Sequence, residues 1–284
     1  MMSNYKTAFT QFIQANNVTG SGKASSYILA LDWLSKILLV EPFGFADCKN
    51  IWEIDSVERL HELYLFVLEE ARKKEASEWN IRGIPPSYLQ NGYCSAALKS
   101  YQSFLIENSY EQRLINIFDA YDGSEDELPD KLDVAFDPPA FLTEGLDKAQ
   151  GKDVIRSVKV RSNQHVFRKI ILRIYNKSCC ITGLNIPEVN RASHIIPWAE
   201  DKTIRLDPRN GLCLSATYDA AFDKHLISLD DDYRLVLSKG IADYYTNESV
   251  QAYFKDKEGM PIMLPSKYLP NKTNLAVHRK NGEF

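Results

Sequence analysis

Four residues in the last hundred positions are of types that could hydrolyse a phosphodiester: His194, Asn210, Asp219 and Asp223. Such a reaction needs an activated water, a cation to take up charge at phosphorus, and help for the departing oxygen. A neutral histidine, whose ordinary pKa is about 6.5, is a suitable base at cellular pH. Asp219 and Asp223 are four residues apart, so on a helix they share one face. Carboxylate and amide oxygens suit a hard divalent ion such as magnesium. Asn210 lies in Pro208-Arg209-Asn210-Gly211, a strong turn sequence. Its amide could pin the loop that holds the histidine or bind the ion.

Three kinds of element must position these groups. His194 falls in Ser193-His194-Ile195-Ile196-Pro197, a short β-prone piece, and Gly211–Ser215 is a second. Residues 216–223 read as a short helix carrying both aspartates. Two further strands, 226–229 and 233–238, flank a turn at Asp230-Asp231-Asp232. Upstream, Gln164 to Tyr175 reads as a helix with Val166, Phe167, Ile170, Ile171 and Ile174 on one side, and Arg168, Lys169 and Arg173 on another.

The first half of the chain has a different character. Residues 25–39, 55–75, 94–107 and 110–120 read as helices, with Ser25 or Ser26 and then Asp55 as candidate caps for the first two. The stretch that follows is acidic and contains Gly123, Pro129, Pro138 and Pro139, a composition that suits an exposed linker. The expected organisation is a helical module over 1–120, a linker over 121–150, and an α+β domain over 151–284.

The net charge of −4 conceals a division. Residues 1–150 hold 13 Lys+Arg against 23 Asp+Glu, and residues 151–284 hold 21 against 15. The basic half is the candidate for meeting a polyanion. No stretch approaches the roughly 18–20 apolar residues that span a membrane, and the N-terminal sequence lacks the pattern of a signal peptide. With five cysteines, an odd number and no disulfide framework, the chain reads as cytoplasmic. Gly20-Ser21-Gly22-Lys23 lacks the upstream glycine and preceding strand of a phosphate loop.

The C-terminal blocks resemble a known family. Cys180-Ile181-Thr182-Gly183, Ser193-His194-Ile195-Ile196-Pro197-Trp198, Asp207-Pro208-Arg209-Asn210-Gly211-Leu212-Cys213-Leu214 and Phe222-Asp223 together resemble the HNH nucleases of the ββα-metal fold. They are most similar to the branch with C-x-x-T-G, H-I-x-P-W, D-P-x-N-G and F-D motifs. Gln164 to Arg168 and Val277-His278-Arg279 fit the same branch, so the likeness covers about residues 155–284. The resemblance implies a metal-dependent endonuclease acting on double-stranded DNA. His194 would be the general base, with Asn210 at the family's N. One magnesium or manganese ion would be held by Asp219, with Asp223 or Asn210 assisting and His225 as a rival third ligand. Arg168, Lys169, Arg173, Arg191, Arg205 and Arg209 are the candidate DNA contacts. Two departures stand out: Asp219 falls where the family's last histidine is expected, and Ser193 stands where many members have an acidic ligand. They leave open an HNH-fold DNA-binding protein without activity.

Ser26–Leu31 and Gly92–Leu105 resemble a helical N-terminal module of bacterial restriction proteins. That likeness implies a restriction or anti-phage setting, with a homodimer or a partner protein of a restriction system as further expectations.

Overall fold

The computed structural model describes residues 5–15, 22–144 and 146–284. Gly20, Ser21 and the first four residues of the N-terminal sequence lie outside this range. The architecture is α+β, a helical N-terminal region followed by small antiparallel sheets with helices. The chain divides into two compact units. One comprises residues up to Tyr110 with Phe136–Arg156; the other comprises Glu111–Ala135 with Ser157–Phe284.

The first unit contains α1 (Tyr5–Ala15), α2 (Lys23–Val40), α3 (Val57–Lys73), α4 (Ser87–Gln90) and the first part of α5 (Tyr93–Ala120). Leu31, Leu34, Leu60, Leu63 and Tyr101 recur at helical spacing and meet Phe9 and Trp79 in one buried cluster. The helix starts differ from expectation. α2 begins at Lys23 after a left-handed Gly22, and the Ser25 and Ser26 hydroxyls donate back to the Gly22 carbonyl instead of capping amides. α3 is capped by Ser56, whose Oγ accepts from the Arg59 amide at 3.1 Å, and not by Asp55. The two helices expected over 94–107 and 110–120 are one, α5, because no proline or glycine interrupts residues 93–120.

The second unit begins on α5 at Glu111 and continues through α6 (Leu128–Leu132). It then takes up α7 (Lys148–Ile174) from Ser157 onward. α7 starts well before the expected Gln164, since the basic run ahead of it contains no proline and its single Gly151 is tolerated. Val166, Phe167, Ile170 and Ile171 are buried as the 3.6-residue period requires.

β1 (Asn190–His194) pairs antiparallel with β2 (Gly211–Ser215), placing His194 opposite Gly211. α8 (Ala216–Asp223) follows β2 directly and packs against both strands. β1 was expected to reach Pro197 but ends at His194. The Ile195 amide still donates to the Asn210 carbonyl at 2.9 Å. Beyond it the Asn210 side chain replaces the partner strand, and Pro197 has no amide to give. β3 (Ile227–Leu229) and β4 (Leu235–Leu237) form a separate hairpin. Its turn is closed by Asp230 Oδ1, which accepts from the amides of Asp232 (2.9 Å) and Arg234 (2.7 Å). α9 (Lys239–Ala242), α10 (Glu248–Tyr253) and α11 (Lys272–Lys280) complete the unit. No described helix is long and apolar enough to cross a membrane, and all five cysteines are buried and free.

Candidate active site

β1, α7 and α8 enclose a cavity of about 680 Å³ in the second unit, lined by His194, Asp219, Asp223, Arg191, His165 and His225 among others. The strand–turn–strand–helix order brings His194 to one wall and the two carboxylates of α8 to another.

His194 is fixed from several directions. Its ring stacks on Phe167 of α7, with centroids 3.7 Å apart and planes 12° from parallel, and Trp198 meets it edge-on at 5.4 Å. Nε2 lies 3.1 Å from the Arg205 carbonyl, which can only accept, so Nε2 carries the proton and donates. The lone pair is therefore on Nδ1. Burial pushes the imidazole down to about 4, below the ordinary value expected from sequence; the Arg205 carbonyl offsets part of this by favouring the charged form. The ring is neutral at pH 7.

Asn210 is 1% exposed and does not line the cavity. Its Oδ1 accepts from the Ile196 amide at 2.9 Å and from Asn274 Nδ2 at 3.1 Å, while its Nδ2 donates to the Ile196 carbonyl at 3.1 Å. Of the two uses expected for it, the geometry supports pinning the loop after His194. Both polar atoms of the amide are engaged, with residue 196 and Asn274.

Asp219 and Asp223 share the cavity face of α8, one turn apart. Burial raises the Asp219 carboxyl, opposed by the Ser193 hydroxyl and the charges of Arg191 and Arg168. Ser193 Oγ is buried with no partner at normal hydrogen-bonding distance, so its effect on Asp219 is that of a nearby dipole. Burial and then the charge of Asp219 raise Asp223. Two carboxylates that disfavour each other's charge are a suitable donor set for a hard divalent cation. Among the described residues no three His, Cys, Asp or Glu side chains converge at ligand spacing. His225 lines the same cavity with its Nδ1 buried and unpartnered, in the left-handed conformation at φ 51°.

The six candidate DNA contacts fare differently. Arg191 lines the cavity and is exposed, with Nη1 donating to the Glu188 carbonyl at 3.3 Å. Arg168 also lines the cavity, but it donates to the carbonyls of Asn190 and Pro187, both at 2.6 Å, and so braces the start of β1. Lys169 pairs with Glu111 at 2.7 Å, and Arg173 pairs with Asp119. Arg205 donates through Nε to the Trp198 carbonyl at 2.7 Å and lies over that ring at 4.9 Å. Arg209 is held by Asp207 at 2.9 Å and by Asp126.

Sequence reasoning missed Phe167 as the platform for His194; its apolar helix position marked it only as core. It also missed Glu111, for which the sequence carries no signal. His278, which the sequence marked only through the Val277-His278-Arg279 likeness, is a strut. Nε2 donates to the Phe222 carbonyl at 3.0 Å and Nδ1 accepts from Ser228 Oγ at 2.9 Å. Burial lowers it to about 4.

Residues 179–230 match the family model of the HNH endonucleases. This HNH segment contains β1, β2, α8 and β3, and with them His194, Asn210, Asp219 and Asp223. Phe167, Arg168 and Glu111 lie outside it, yet they support or surround its cavity. A search of curated proteins finds no match to the chain.

Proposed function

We propose that this protein is a metal-dependent endonuclease that hydrolyses phosphodiester bonds of double-stranded DNA, with its chemistry in residues 151–284. The observation that carries the reading is the pairing of a neutral, tautomer-fixed His194 with the two carboxylates of α8 around one cavity.

In this mechanism Nδ1 of His194 takes the proton of the attacking water, while the Nε2–H bond to the Arg205 carbonyl stabilises the imidazolium that forms. Phe167 and Trp198 hold the ring in place and keep bulk water from its faces. Asp219 and Asp223 would hold one magnesium or manganese ion. When bound, that ion supplies charge stabilisation at the scissile phosphate and the leaving 3′ oxygen. Arg191, at the cavity rim, orients the phosphate. Asn210 keeps the 195–197 loop from drifting.

A second reading, an HNH-fold DNA-binding protein without activity, is favoured by Ser193, which stands where many members carry an acidic ligand. The branch assignment and the restriction or anti-phage setting rest on the motif resemblance. So does the view of residues 1–120 as a DNA-reading, sensing or partner-binding module, joined by a linker over 121–150. A cytoplasmic location, a homodimer and a nuclease subunit of a larger defence complex belong to the same reading.

The test is cleavage of supercoiled, linear and phage-modified DNA with magnesium or manganese, by wild type and His194→Ala. The expected result is metal-dependent cutting that the substitution abolishes. Cutting that survives it would move the active site elsewhere, and DNA binding without cutting by the wild type would favour the inactive reading.

A further inference from the structure

A second cavity of about 680 Å³ lies in the same unit and shares no lining residue with the first. One wall is α5, with Gln112 and Ile115. The other is the end of α7, with Lys169, Leu172 and Arg173, and the turn after it, with Asn176 and Lys177. Three of these residues are cations and none is an acid. Ile115 and Leu172 give an apolar surface, and Gln112 and Asn176 bring carboxamides. Sites for small ligands have this size and this mixture of apolar wall and few polar groups. Lys169 Nζ donates to Glu111 at 2.7 Å, and Arg173 pairs with Asp119. Lys177 Nζ and the Asn176 side chain have no partner among the described residues. The turn that carries them is strained: Asn176 and Lys177 are consecutive residues at φ 49° and 61°, the left-handed region that glycine ordinarily fills at a helix end. It is held by bonds on both sides. The Lys177 amide donates to the Leu172 carbonyl at 2.6 Å, and the Asn176 amide to the Arg173 carbonyl at 3.1 Å. Asn185 Nδ2 donates to the Asn176 carbonyl at 3.1 Å, and Asn190 Nδ2 to the Lys177 carbonyl at 2.9 Å. These bonds occupy the carbonyls that end α7, which would otherwise repel an anion. Glycine would adopt the turn with less strain; lysine keeps a cation at the cavity.

We propose that the cavity between α5 and α7 is a binding site for a free nucleoside monophosphate. Lys177 and Arg173 take the phosphate. Ile115 and Leu172 pack against the base, and the carboxamides of Gln112 and Asn176 meet its edge. A carboxamide offers a donor and an acceptor together, the pattern that pairs with adenine. Gln112 Nε2 already donates to Asn116 Oδ1 at 3.3 Å, which leaves its Oε1 to accept. Glu111 and Asp119 stand beside two of the three cations, so the site favours one small anion over the continuous charge of a duplex. The inference is independent of the nuclease reading, since it uses no residue of the first cavity.

The test is calorimetric titration of the full chain in EDTA with AMP, adenosine and inorganic phosphate. AMP is expected to bind at one site with a Kd below about 1 mM. Adenosine and phosphate, each lacking half of the ligand, should bind about tenfold more weakly or worse. Lys177→Gly separates binding from folding. It removes the cation and the strain together, so Tm should hold or rise while AMP affinity falls by about tenfold. Lys177→Arg should retain binding, and Arg173→Gln should weaken it in a second, independent way. No heat with AMP at millimolar concentration overturns the proposal. So does an affinity that Lys177→Gly and Arg173→Gln leave unchanged, which would put AMP elsewhere on the chain. Phosphate binding as tightly as AMP would make this a general anion site and overturn the nucleotide assignment. Duplex DNA that displaces AMP from the wild type, and is itself weakened by Lys177→Gly, would make the face a DNA contact and overturn it too. None of these readouts requires cleavage, so a chain that cuts no DNA but binds AMP through Lys177 fails the nuclease reading and upholds this one.

Discussion

His194 and His278 both have imidazoles that burial depresses from about 6.5 to about 4. The sign of the consequence follows from proton counting. Between these values the unfolded chain binds a proton that the folded ring refuses, so stability is full above pH 6.5, falls as the pH drops towards 4, and levels below it. For His278, 3% exposed, the loss is on the order of 3 kcal/mol. Urea midpoints taken from pH 7 to pH 4 should decline over that window, and His278→Gln should flatten the curve. For the same reason the acid limb of cleavage should lie near pH 4, not near 6.5. The position of His194 and the two aspartates was legible in the sequence because the motif is local. Its lowered basicity was not, since that depends on Phe167 and Trp198 closing over the ring. Glu111 was less legible still: its contact with His165 spans 54 positions and leaves no local pattern.

At the level of elements, the seam between α7 and β2 sets the site. A Cβ on Gly211 would lie 2.7 Å from Phe167 Cζ and closer still to the Ile171 side chain. Gly211 is directly opposite His194 in the register. Gly211→Ala should therefore cost about 1–3 kcal/mol through overpacking. It should also lower kcat more than it weakens DNA binding, because the Phe167 platform would shift beneath the base; kinetics beside a binding titration checks this. The two β-prone pieces and the short α8 followed from residue type and spacing in the sequence; the register that sets His194 opposite Gly211 did not. The early end of β1 did not, because Asn210 gives its side chain to residue 196 in place of a strand partner, a substitution that only the folded loop reveals. The merging of two expected helices into α5 has a simpler cause: the polar pair Asn108-Ser109 weakens a helix but does not break it.

The whole molecule is two units whose division does not follow one cut in the chain. The unit that holds the cavity includes residues 111–135, and carboxylates from that stretch meet its cations: Glu111 with Lys169, Asp119 with Arg173, Asp126 with Arg209. Glu125 accepts from the Tyr268 amide at 2.9 Å, and Phe118 lies against the Tyr268 ring at 5.6 Å. A fragment beginning at residue 151 should thus melt well below one that also retains 111–135, and differential scanning calorimetry of the two would show it. Composition marked 121–150 as a linker by its charge and prolines. It could not show which carboxylates find cations, since that is a matter of tertiary pairing.

The buried cysteines divide between the units as well: Cys48 and Cys94 in the first, and Cys179, Cys180 and Cys213 in the second. Burial raises the thiols of Cys48, Cys94, Cys180 and Cys213, so they are poor nucleophiles while the protein is folded. The native chain is therefore silent towards alkylating reagents. Opening of the first unit would register as two labels and opening of the second as three, so mass alone would tell which half of the molecule had let solvent in.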